Sequence, residues 1–68
     1  MSRKKIAKWL LANGWTRSHK DENGTVYFVN QGALAPVTWS AFDRGVLVAS
    51  LALFHGVTVE DLLEEMLA

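Results

Sequence analysis

The chain contains no cysteine, one proline and two histidines. Without thiols there are no disulfides and no thiolate metal sites, and His19 and His55 lie too far apart in sequence to form a local zinc pair. No metal and no cofactor is therefore expected. The glycines are Gly14, Gly24, Gly32, Gly45 and Gly56. They fall between segments as punctuation and make neither a phosphate-binding loop nor a dinucleotide fingerprint. Long apolar runs are also missing. The longest, Val46 to Phe54, is about half of the ~18 residues that cross a bilayer. The basic start followed by Trp9 to Ala12 is too short to read as a secretory signal. These absences predict a cytoplasmic protein with no membrane partner and no small-molecule substrate.

Charge of one sign is absent overall, with seven basic and seven acidic residues, which argues against a nucleic-acid coat protein. The distribution is uneven. Arg3, Lys4, Lys5, Lys8, Arg17 and Lys20 fill the first twenty residues with no acid among them, whereas Glu60, Asp61, Glu64 and Glu65 fill the last ten with no base.

What the chain does have is apolar mass: 50% of its 68 residues are hydrophobic, with three tryptophans and three phenylalanines. That length supports one domain over residues 1–68. A chain this short buries only about 60% of its unfolded surface and usually carries a staple. With no disulfide or metal in view, a second copy is the remaining staple.

Residues 2–13 predict an amphipathic helix, with Ile6, Trp9, Leu10 and Leu11 near one face, Ser2 as N-cap and Gly14 past its end. Residues 15–20 and 25–30 predict a hairpin around Asp21-Glu22-Asn23-Gly24. A two-residue or a four-residue loop places Trp15, Arg17, His19, Val26 and Phe28 on one face and Tyr27 on the other; a three-residue loop changes that assignment. Residues 31–37, with Gly32 and Pro36, suit a loop or a short edge strand. A long helix is expected from Thr38, with Ser40 as the competing cap, to about Phe54. Trp39, Phe42, Val46, Ala49 and Leu53 form one stripe on it, Leu47, Leu51 and Phe54 a second, and Ala41, Gly45, Val48 and Ala52 a side of small residues. Thr58 to Ala68 closes the chain as a capped amphipathic helix. The fold class expected is α+β, in the order α-β-β-α-α.

Few residues carry chemistry. His19 with Asp21 and Glu22 is the one cluster with acid–base or metal potential, and it reads as a polar turn. His55 reads as a helix-end residue suited to the dipole. The chain is therefore read as non-catalytic, with no catalytic residue and no metal ligand. A helix apolar on nearly every side needs cover on nearly every side. A homodimer is expected through Ala41, Gly45, Leu47, Val48, Leu51, Ala52 and Phe54. The acidic face of Glu60, Asp61, Glu64 and Glu65 is the candidate surface for a protein partner. The alternative is nucleic-acid binding by Arg3, Lys4, Lys5, Lys8, Arg17, Lys20 and Tyr27, where cations hold phosphates and the ring stacks a base. A protein partner is favoured over nucleic acid, as for a small accessory, regulator or inhibitor of the kind found in phages and mobile elements.

Overall fold

Helix α1 (Arg3–Ala12) begins where Ser2 is extended and its hydroxyl accepts a hydrogen bond from the Lys5 amide at 3.2 Å. The helix ends where the Asn13 side-chain amide donates to the Trp9 carbonyl at 2.8 Å. The computed structural model describes residues 1–68. Ile6, Trp9 and Leu10 are buried at the spacing of one helical face,. Leu11, grouped with them by sequence, is exposed instead, because one residue further advances the side chain by about 100°.

Three strands follow: β1 (Thr16–Lys20), β2 (Val26–Asn30) and β3 (Ala33–Val37), antiparallel in that spatial order. The element order is therefore α-β-β-β-α-α, one strand more than expected. Residues 33–37 take the edge-strand alternative, and the edge is where a proline such as Pro36 is tolerated in a sheet. The hairpin register differs too. Arg17 pairs with Phe28, but His19 pairs with Tyr27 and Lys20 with Val26, the shift falling at Ser18. This bulge adds a residue to β1 and turns His19 from the Arg17 and Phe28 side to the Tyr27 side. Neither an even loop nor a simple odd one describes the whole hairpin.

Helix α2 (Ala41–His55) is capped by Ser40, whose hydroxyl accepts from the Asp43 amide at 3.2 Å. Thr38, the other candidate, instead receives the Ser40 amide. Gly56 closes α2 in the left-handed conformation, φ +68°, with the Val57 amide reaching back to the Ala52 carbonyl,. Helix α3 (Val59–Leu67) then departs at 110°. It is capped as expected by Thr58, which receives the Asp61 amide at 3.1 Å. No single helix is long and apolar enough to cross a membrane.

The core lies between the sheet and the helices. Phe28, Ala35 and Val37 from the sheet meet Ile6 and Leu10 of α1, Leu47, Val48, Leu51 and Ala52 of α2, and Leu62 and Met66 of α3. Trp15, buried just before β1, donates its indole N–H to His55 Nε2 at 3.0 Å. His55 also meets Trp9 edge-on at 4.9 Å between ring centroids. That geometry fixes the tautomer: an Nε2 that accepts carries no proton. His55, in the last turn of α2 as expected, also ties that end of the helix to two tryptophans.

Candidate functional site

The core takes up the side of α2 that was expected to be free for self-association. Leu47, Val48, Leu51 and Ala52, four of the seven residues assigned to self-association, are buried against the chain's own sheet and helices. Ala41 and Gly45 are exposed, and Phe54 is partly exposed beside Trp15 at 5.2 Å between ring centroids. The surface left open is the first stripe. Phe42 is 79% exposed, Val46 52% and Leu53 85%, with Ala49 exposed between them and Trp39, 68% exposed, just ahead of the helix.

These five positions follow one another at intervals of three, four, three and four. This is the repeat of a coiled-coil seam, in which every position of one register is apolar. The seam is bordered by Asp43 and Ser50, both exposed. Beside it, Leu34 and Pro36 of β3 and Val46 of α2 line a trough of about 290 Å³. Thr38, Asp43, Leu47 and Ser50 complete that lining, and Leu34, 56% exposed, is an apolar side chain of the sheet edge beside it. A residue signal for this outer side was present in the sequence: Asp43 and Ser50 lie within the same arc as Val46 and Leu53, and polar residues on an otherwise apolar helix mark the side facing water.

Trp39 is held in place despite its exposure. The Arg3 guanidinium lies 3.8 Å over its ring centroid while donating to the carbonyls of Gly24 and, at 3.1 Å, Val37. Arg44 reaches the carbonyls of Trp39 at 2.7 Å, Thr38 at 3.2 Å and Met1 at 3.0 Å. Two arginines thus pin the segment that leads into the seam.

Of the seven residues assigned to nucleic acid, Arg3, Lys4 and Arg17 border one trough, and the other four lie elsewhere. Arg3 is committed to Trp39 and the two carbonyls, and its buried Nε has no partner. Lys5 and Lys8 border a depression between α1 and α3 that also contains Glu65. Lys4 and Arg17 border a different trough, between α1 and the sheet. Lys20 pairs with Val26, whereas Tyr27 is on the opposite side of β2,.

On that opposite side the His19 and Tyr27 rings stack at 4.6 Å, 13° from parallel. Ser18 Oγ lies 2.9 Å from His19 Nδ1. The Tyr27 hydroxyl donates to Asp21 at 2.9 Å, and the other Asp21 oxygen receives the amides of Asn23 and Thr25. The Tyr27 hydrogen bond, with these amides and the nearby His19, lowers the Asp21 pKa despite partial desolvation. The same hydrogen bond raises that of Tyr27. Asp21 thereby organises the hairpin turn, and no group of His, Asp and Glu side chains gathers in metal-binding geometry. On α3, Glu65 accepts from the Trp9 indole at 3.3 Å, while Glu60, Asp61 and Glu64 are exposed.

The chain matches no protein-family model, no curated protein and no solved structure.

Proposed function

We propose that this chain is a non-catalytic macromolecular-interaction protein, an accessory or regulator, that works as a homodimer paired through the outer face of α2. The observation that carries the reading is the exposed repeat of Phe42, Val46, Ala49 and Leu53. An antiparallel pairing of two α2 helices about the midpoint of that repeat sets Phe42 against the partner's Leu53 and Val46 against the partner's Ala49. Each layer matches a larger side chain with a smaller one, and Ala49 with the neighbouring Gly45 lets the helices approach within the ~8–10 Å of ordinary packing. The contact is isologous, so it closes at two copies.

Area supports the same reading. Trp39, Phe42, Val46, Leu53 and Leu34 together expose on the order of 600 Å², against about 800 Å² per partner in a standard interface. A patch of about 600 Å² is at the upper end of the largest patch on an ordinary monomer, a size that is often functional. No acid or base of α2 meets its like across the seam, since the same pairing sets Asp43 level with the partner's Ala52 and Arg44 level with the partner's Leu51. With the seam used for self-association, the charged faces remain for other macromolecules.

Light scattering across a concentration series tests the proposal, together with Leu53→Glu and Phe42→Glu. Each places a charge in an apolar layer without touching the core, so each is expected to yield a folded monomer. A wild-type chain of monomer mass at every concentration would overturn it.

A further inference from the structure

We propose that the trough between α1 and the helix-facing side of the hairpin docks an acidic amphipathic helix from a partner protein. The trough measures about 440 Å³. Its floor is Val26, Phe28 and Val37, and its walls are Ala7 and Leu11 of α1 on one side and Trp39 on the other. Arg3, Lys4 and Arg17 border it, and no aspartate or glutamate lines it. Leu11 and Trp39 are 60% and 68% exposed, so the walls are apolar surfaces that the chain itself leaves uncovered.

Shape and charge select the occupant. From Lys4 to Leu11, α1 supplies about two helical turns, a length of roughly 10 Å. Two turns of a partner helix present apolar anchors at i, i+3 or i+4, and i+7, the pattern by which a helix fills a groove. Carboxylates flanking those anchors meet Lys4 and Arg17. A small ligand fits less well, because pocket ligands bury about 70–90% of their surface and this trough is open along its length. Nucleic acid fits less well again. The floor offers no side-chain donor or acceptor to a base edge, and one face of Trp39 is already covered by Arg3.

The site shares only Trp39 with the α2 seam, so measuring binding with and without the dimer separates the two readings. Binding is read from amide chemical shifts in the full chain and, separately, in the Leu53→Glu background. The probe is a synthetic helical peptide with leucines at i, i+3, i+4 and i+7 and glutamates elsewhere. Controls are the same peptide with lysines for glutamates, decanoate, and a short single-stranded DNA.

The expected result is saturable shifts at Leu11, Arg17, Phe28 and the Trp39 indole with the glutamate peptide, in both backgrounds. Lys4→Glu with Arg17→Glu is expected to weaken that peptide about tenfold or more and to strengthen the lysine peptide, since charge complementarity discriminates between partners. Both positions are exposed, so an otherwise unchanged spectrum verifies the fold. The proposal is overturned if the glutamate peptide leaves these resonances unmoved, if both peptides bind alike, or if decanoate or DNA moves them where the peptide does not. A wild-type chain that stays monomeric yet binds the peptide refutes only the α2 pairing.

Discussion

Replacing His55 by leucine removes the acceptor for the Trp15 indole while keeping the bulk of the side chain. Trp15 is 3% exposed, so its N–H has little access to water once His55 Nε2, at 3.0 Å, is gone. Leaving a buried donor unsatisfied costs about 1–3 kcal/mol. Loss of the edge-on contact with Trp9 adds roughly 0.5–1 kcal/mol. The expected destabilisation is therefore about 2–3 kcal/mol. For a domain of this size each kcal/mol moves Tm by about 4–8 °C, so His55→Leu should melt some 10–20 °C below the parent. The decisive assay is a double-mutant cycle with Trp15→Phe, measured by urea denaturation. Phenylalanine has no N–H to strand, so His55→Leu should cost about 1 kcal/mol or more less in that background. His55→Gln, which retains an acceptor, should fall between. A coupling below about 0.3 kcal/mol, the level at which independent sites add, would refute the claim that His55 is the partner of Trp15.

A Cβ on Gly24 would stand 2.6 Å from Trp39 Nε1, and its φ of +83° disfavours any side chain. Gly24→Ala is therefore expected to destabilise by about 1–3 kcal/mol through left-handed strain and displacement of Trp39 from Arg3. Part of the loss should vanish when Trp39→Ala is added. Tyr27 is the one tyrosine, so phenolate absorbance follows it alone. Its midpoint should lie above the ordinary tyrosine value and return toward it in Asp21→Asn. The pair also predicts the sign of the pH dependence. The raised Tyr27 pKa gives stability that is complete below the ordinary value near ~10 and lost as pH rises through the folded value. The lowered Asp21 pKa gives stability present above the ordinary carboxylate value near ~4 and lost as pH falls through the folded value. Carboxyl NMR titration and denaturation at both extremes check this; equal stability of Asp21→Asn and the parent at neutral pH would contradict it.

The helices were legible because their signals are local. Ser2, Thr58 and Gly56 act as the caps their residue types favour, and the apolar spacing of α1 and α3 matches the faces they bury. The hairpin was legible, but its register was not. The bulge at Ser18 lies in a strand whose five residues are all exposed, so no apolar alternation marks it, and no turn residue announces it. Strand β3 was half visible, since Pro36 and Gly32 signal irregularity more strongly than Leu34 and Val37 signal pairing. On α2 the difficulty was one of choice. Three apolar sides compete, periodicity alone does not rank them, and tertiary packing selects Leu47, Val48, Leu51 and Ala52. Only Asp43 and Ser50 mark the other side as outward. The trough beside α1 joins residues from 3 to 39, a juxtaposition that depends on the third strand and on the Arg3–Trp39 stack.

The most direct test of the central claim is the molar mass of the chain in solution, measured by light scattering up to about 1 mM, where even a pairing of −4 kcal/mol is half formed. The series is run at low and high salt. Pairing through Phe42, Val46, Ala49 and Leu53 predicts a mass rising to twice 7.6 kDa, undiminished by salt because the seam is apolar, and held at the monomer value by Leu53→Glu. A mass that stays at 7.6 kDa throughout, or a dimer that Leu53→Glu leaves intact, would contradict it.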